Sequence, residues 1–130
     1  AMRFRGFCFF ALVATELAAK NKTRFGDPQY WEETYNASGA NSTHDWFFGA
    51  NMFVPLVQPY LQQHNELLQL GCGNSLIAEA LYNAGFSNVM SVDISSSVIE
   101  ANKVRYPADK FPGLNFEVAD VFAMTRFASG

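Results

Sequence analysis

Cysteine, histidine and charge are all scarce in this chain. Its 130 residues hold two cysteines, Cys8 and Cys72, and two histidines, His44 and His64. So few thiols exclude a disulfide-stapled scaffold and a cysteine-rich zinc site. The histidines have no ligand-like spacing to a cysteine or an acid, so capping or solvated roles are expected and no metal site. Charged residues make up 16% of the chain, and the formal net charge is −3. That balance leaves no basic footprint for nucleic acid. Long apolar runs are missing too: the run from Phe7 to Ala14 is too short to span a bilayer. No internal repeat and no low-complexity tract breaks the chain up.

What is present suits one globular domain with a real core, since 49% of residues are hydrophobic and 15% aromatic. Residues 1–24 read as an N-terminal extension and residues 25–130 as the domain. Within the extension, Met2-Arg3-Phe4-Arg5-Gly6 precedes the apolar run, and no acid occurs before Glu16. A basic start followed by a short apolar stretch has the composition of a secretory or mitochondrial targeting segment. Three glycosylation sequons follow, at Asn21, Asn36 and Asn41. They matter only in a secreted protein. The plainer reading, a packed or loose extension on a cytoplasmic domain, is preferred.

Phe25-Gly26-Asp27-Pro28 looks like a turn into a helix, with Asp27 as cap and Pro28 at the first helical position. Trp31 and Tyr35 are four apart and share a face. Asn36–Thr43 reads as a polar loop, and Asp45-Trp46-Phe47-Phe48-Gly49 as a compact aromatic group. These aromatics suit either ordinary core or a lid over a ligand. Met52, Phe53, Leu56, Val57, Tyr60 and Leu61 repeat at helical spacing, but Pro55 and Pro59 interrupt it. The helix is therefore expected to begin near Pro55 or to kink there.

A regular alternation follows. Glu66–Leu70 reads as a strand. Leu76, Ile77, Ala80, Leu81 and Ala84 form a helical face that Gly85 stops. Asn88–Asp93 is a second strand. Ser97-x-x-Glu100 has the form of a capping box opening a helix that runs to about Tyr106 before Pro107. Leu114–Val118 is a third strand, with Asp120 just past its end. Strand, helix, strand, helix, strand predicts an α/β fold with a right-handed parallel sheet flanked by helices.

The chemistry concentrates at Leu70-Gly71-Cys72-Gly73-Asn74-Ser75, where the first strand breaks into a glycine turn. Such a turn, followed by a helix N-terminus, forms a nucleotide cradle at the carboxyl end of a sheet strand. Asp93 lies 20 residues after Gly73, at the end of the second strand. An ionised carboxylate there can accept both hydroxyls of a ribose. A dinucleotide fingerprint would need glycine where Leu76 stands. An adenosyl-methionine site needs only close backbone approach, which Gly71 and Gly73 provide. It also uses a third acidic position for the adenine amino group, where Asp120 and Val121 fall. Taken alone, Asp120 would be an ordinary strand-end turn residue.

Taken together, Phe25-Gly26, Tyr30-Trp31-Glu32, Tyr35, Asp45-Trp46-Phe47, the Gly71–Ser75 turn, Leu81-Tyr82-x-x-Gly85-Phe86, Val92-Asp93-Ile94-Ser95 and Asp120-Val121 resemble the class I methyltransferases that modify protein lysines. The likeness is nearest to the elongation factor 1-alpha lysine methyltransferases. Asp-Trp-Phe-Phe-Gly is also similar to a mitochondrial relative that methylates citrate synthase. The resemblance implies a Rossmann-like, seven-strand parallel sheet and S-adenosyl-L-methionine as cofactor. It implies a protein substrate offering a lysine side chain. It further implies that Gly71, with Cys72, Gly73 and Asn74 beside it, contacts the cofactor. Asp93 would hold the ribose, Ile94 would pack on the adenine, and Asp120 and Val121 would flank it. Trp31, Tyr35 and Trp46 would close over the cofactor.

Family members continue with a fourth, acidic-Lys-Gly-Thr-Leu-Asp-like strand and three more. This sequence ends at Gly130, so it reads as the cofactor-binding half, a truncated chain. No residue in it stands out as a general base, and none is assigned as catalytic. Two further readings stay open at this stage. One is a non-catalytic interaction module or pseudo-enzyme with a partial site; the other is a fragment of a nicotinamide dinucleotide oxidoreductase.

Overall fold

The computed structural model describes residues 24–39 and 41–124. The targeting-like segment, Cys8 and the Asn21 sequon lie outside the described residues. Two short helices come first, α1 (Pro28–Ser38) and α2 (Ala50–Val57), the latter followed by a 3-10 turn at Gln58–Tyr60. The alternation then runs β1 (Leu67–Leu70), α3 (Ile77–Asn83), β2 (Val89–Asp93), α4 (Ser96–Arg105) and β3 (Leu114–Val118).

The three strands form one sheet in the order β1-β2-β3, parallel throughout. Leu67 pairs with Val89 and Val89 with Leu114, so the strands start level and their carboxyl ends finish together. β2 is central and buried along its whole length, which suits its apolar Val89-Met90-Ser91-Val92 sequence. β1 is an edge among the described residues and is only half-buried after Leu67.

The core forms where α3 and α4 pack on the sheet. Val89, Val92 and Ile99 are completely enclosed, with Leu81, Phe86, Leu114 and Phe116 around them. Tyr106 stacks on Phe116 with centroids 5.6 Å apart and meets Phe111 edge-on. Its hydroxyl donates to Glu79 Oε2 at 3.0 Å, which ties α4 to α3. α2 lays Phe53, Val54 and Val57 against the same core.

Several boundaries differ from the sequence-based expectation. α2 begins at Ala50, not at Pro55. Pro55 is accommodated because α2 ends two residues later, so little helix lies beyond the hydrogen bond that its missing N–H would have made. α1 runs on through Ser38, so Asn36-Ala37-Ser38 is helical and the polar loop starts at Gly39. The expected cap at Ser97 is also displaced. Ser95 caps α4, its hydroxyl accepting from Val98 N–H, while Ser97 lies inside the first turn and Glu100 pairs with Lys103. Asp27 caps α1 as expected, accepting from Gln29 N–H at 3.0 Å, and Gly85 stops α3 in a positive-φ conformation. Ala78, which was not foreseen, is the most buried residue of α3.

Candidate functional site

The parallel register brings the carboxyl ends of β1, β2 and β3 to one edge of the sheet, and the glycine turn opens there. Gly71 and Gly73 take φ of +62° and +49°, a left-handed backbone that residues with a Cβ avoid. A Cβ on Gly73 would meet the Tyr35 hydroxyl at 2.5 Å, whereas the space over Gly71 is open. The turn is pinned by hydrogen bonds. Cys72 N–H donates to Val92 O at 2.9 Å, and Asn102 Nδ2 on α4 donates to Gly73 O at 2.7 Å. Gly73 N–H donates to Asp93 Oδ2 at 2.8 Å.

Asp93 is 6% exposed. Its second oxygen accepts from Ser95 N–H at 3.0 Å. Burial pushes its carboxyl above the usual carboxylate value, and the N–H donors of Ser95 and Gly73 oppose that shift. Burial, followed by the nearby Asp93 charge, also pushes the Cys72 thiol far up. Cys72 is thus a packed thiol that stays protonated at neutral pH and not a nucleophile.

The aromatic residues from the first part of the chain converge on this turn. Trp31 stacks on Tyr35 at 6.0 Å and on Phe25 at 5.6 Å, and meets Trp46 edge-on at 6.0 Å. The Trp31 indole N–H donates to Phe25 O at 2.8 Å. Burial raises the Tyr35 phenol well above its ordinary pKa, and the Asp93 charge adds to it. Trp46 is half-exposed, and Phe47 and Phe48 are more exposed than a core cluster would be. Asp45 anchors this loop: its Oδ1 accepts from the Ser75 hydroxyl at 2.5 Å and its Oδ2 from Ala50 N–H at 3.3 Å.

A cavity of about 410 Å³ runs from the turn along the open edge of β1. Tyr35, Trp46, Gly71, Cys72, Gly73 and Asn74 line it, and no lysine or arginine does. Trp31, stacked on Tyr35, and Asp93, bonded to the Gly73 N–H, do not line it. Ile94, Asp120 and Val121 stand outside it, past the ends of β2 and β3, which Ala119 N–H to Asp93 O joins at 2.9 Å. Asp120 is exposed and closes its own turn, with Oδ1 accepting from Phe122 N–H at 2.9 Å. Among the described residues no group of histidine, cysteine, aspartate and glutamate could hold a metal ion. No described helix is long and apolar enough to cross a membrane.

Glu32, Asp45, Ser75, Ser95 and Asn102 also build the site; the first four stand in the motifs quoted above without a role of their own, and Asn102 was not named. Glu32 lies between the paired aromatics, and its signal was the Ser95-Ser96-Ser97 run that it faces. The carboxylate accepts from the Ser95 hydroxyl at 2.7 Å, the Ser96 hydroxyl at 3.1 Å, and the hydroxyl and N–H of Ser97. Those donors hold its carboxyl down at about 2. Asn102 gave no local signal, because its role depends on how α4 packs beneath the turn.

Comparison with known proteins agrees with this geometry. Residues 68–130 match the methyltransferase domain family. Over 115 residues the chain is 38% identical to mouse (Mus musculus) "EEF1A lysine methyltransferase 4", covering 88% of this chain and 44% of that protein. The Bos taurus protein of the same name is 36% identical over the same shares. A Xenopus laevis "eEF1A lysine and N-terminal methyltransferase" is 30% identical over 85% of this chain and 16% of its own length. The chain thus spans less than half the length of these relatives. The parallel sheet, the glycine turn and the acid bonded beneath that turn belong to a chain that is similar to the methyltransferase domain family over residues 68–130 and that resembles the eEF1A lysine methyltransferases.

Proposed function

We propose that the chain forms the S-adenosyl-L-methionine-binding part of a protein-lysine N-methyltransferase whose substrate is a translation elongation factor. The observation that carries this is the Gly73 N–H bond to Asp93 beneath a turn whose Gly71 is open to close approach. That cradle fits a nucleoside with no phosphate. The cavity lining carries no cation to meet a pyrophosphate, and half-buried Leu76 occupies the position a dinucleotide turn keeps as glycine.

When bound, the cofactor supplies a methyl group on a positively charged sulfur. The chain's own residues bind and shelter it. Asp93 has lone pairs left after its two backbone bonds and would accept from the ribose hydroxyls. Ile94 and Val121 would give the adenine apolar faces, and Asp120 would accept from its amino group. Trp31, Tyr35 and Trp46 would exclude water. In-line attack by a neutral lysine amine needs alignment and desolvation more than proton chemistry, and no residue here is assigned as a base. The substrate class comes from the relatives' names; such a substrate would place the reaction in the cytoplasm.

Calorimetric titration with S-adenosyl-homocysteine tests the cofactor assignment. Saturable binding that Asp93→Ala abolishes is expected, with no binding of NADH. A folded chain that takes NADH and not S-adenosyl-homocysteine would overturn it.

A further inference from the structure

Resting on that cofactor reading, we propose that Glu32 is a positioning residue, a polar clasp that holds the aromatic cover of α1 down on the glycine turn. α1 places no fully buried residue in the core. It carries Trp31 and Tyr35, yet no deep apolar anchor fixes it in place. What holds its inner face to α4 is polar. Glu32 gathers the Ser95, Ser96 and Ser97 hydroxyls and the Ser97 N–H, and one turn later Asn36 Oδ1 lies 2.9 Å from the same Ser97 hydroxyl, whose single proton the two acceptors share.

The clasp fixes orientation as well as proximity. Glu32 and Asn36 are four apart and face α4, while Tyr35 faces the turn with Trp31, four residues before it, stacked on its ring. Holding the first pair sets the rotation of α1 and so lowers the Tyr35 hydroxyl onto Gly73. The clasp also touches the cofactor side of the fold. Ser95 donates its hydroxyl to Glu32 and its N–H to Asp93 Oδ1, so one residue joins the cover to the carboxylate assigned to the ribose. Glu32 reaches no cofactor-binding surface itself and would act through Tyr35 and Trp31.

Because hydrogen bonds to a carboxylate exchange readily with water, the clasp can open without unfolding the core. Ligand exchange would then require α1 to lift. Alanine is well tolerated inside a helix, so Glu32→Ala should leave the sheet and α4 folded.

Amide hydrogen exchange of the full chain, run without ligand, is the first test. Glu32→Ala should lose protection across residues 28–38 while β2 and β3 keep theirs, and Glu32→Gln, which retains one acceptor oxygen, should fall between. Stopped-flow fluorescence of Trp31 and Trp46 with S-adenosyl-homocysteine is the second. Dissociation should be faster by about tenfold in Glu32→Ala, the effect of losing a charge-assisted hydrogen-bond set. Unchanged protection of residues 28–38, or protection lost evenly over the whole sheet, would overturn the clasp. Looser exchange of α1 with an unchanged dissociation rate would overturn its role in cofactor retention. A wild-type chain that binds no S-adenosyl-homocysteine fails the cofactor reading itself, and the exchange pattern would still decide the clasp.

Discussion

The Gly73 N–H donates to Asp93 Oδ2 at 2.8 Å, joining the turn after β1 to the end of β2. The bond leaves the carboxylate with a structural duty besides any ligand. Asp93→Asn keeps one acceptor oxygen but turns an amide N–H toward either Gly73 or Ser95. One buried donor then lacks a partner, at a cost of about 1–3 kcal/mol. Urea unfolding should show that loss, and calorimetry should show affinity for S-adenosyl-homocysteine falling further than stability does. A variant as stable as wild type would mean that the bond contributes nothing.

Gly73→Ala should be destabilising for two separable reasons. The positive φ of +49° costs an alanine about 1–2 kcal/mol. The new methyl also meets the Tyr35 hydroxyl. Tyr35→Ala removes the second cost and leaves the first. In a double-mutant cycle, the Gly73→Ala penalty should therefore be smaller in the Tyr35→Ala background by more than about 0.5 kcal/mol. Additive penalties would show that Tyr35 does not sit on the turn in solution.

Much of this site was legible before any coordinates, and the limits have physical causes. β3 reads from the sequence as Leu114–Val118, with Asp120 just past its end, and the structure has the same span. Trp31 and Tyr35 were paired by helical spacing alone. Sequence spacing misread Ser97 as a cap because Ser95 and Ser97 both fit the chemistry; only the backbone geometry after Asp93 decides between them. Asn102 was beyond reach, since a polar residue on a helix becomes a turn anchor only once that helix docks under the turn.

Acidity should loosen the α1 cover before it melts the core. The carboxyl of Glu32 is held down from 4.5 to about 2 by the Ser95–Ser97 donors. Its stabilising contribution is complete above pH 4.5 and is lost as pH falls toward 2. Exposed Asp27, bonded to Arg24, shifts in the same direction at the start of α1, a pair that solvent screens to little effect. Asp93 runs the other way: burial raises its carboxyl, so its ionisation costs stability as pH rises through that value. Trp31 fluorescence should therefore change between pH 4.5 and 2, ahead of the far-ultraviolet signal. Glu32→Gln should flatten this early change. A wild type and a Glu32→Gln variant with superimposable fluorescence curves would sink the assignment.

Asn102 supplies the last test, because its amide does what neither a methyl nor an ionised carboxylate can. Nδ2 donates to Gly73 O at 2.7 Å, while Oδ1 has no hydrogen-bond partner in its buried position. Asn102→Ala loses that donor and should cost about 1–3 kcal/mol. Asn102→Asp keeps the size, but at pH 7 it buries an unpaired negative charge beneath the turn that already holds Asp93, and it offers Gly73 O no proton. Its penalty should exceed that of alanine at pH 7. Protonation reverses both defects, since a neutral carboxyl carries no charge and can donate its O–H to Gly73 O. Urea unfolding of the two variants at pH 7 and pH 4 should therefore show the aspartate penalty shrinking toward or below that of alanine in acid. Glu32, which Asn102 does not touch, titrates in both variants and cancels in the difference, whereas repulsion from Asp93 adds to the aspartate penalty at pH 7. An aspartate variant as stable as wild type at pH 7 would mean that α4 does not hold the turn through this bond.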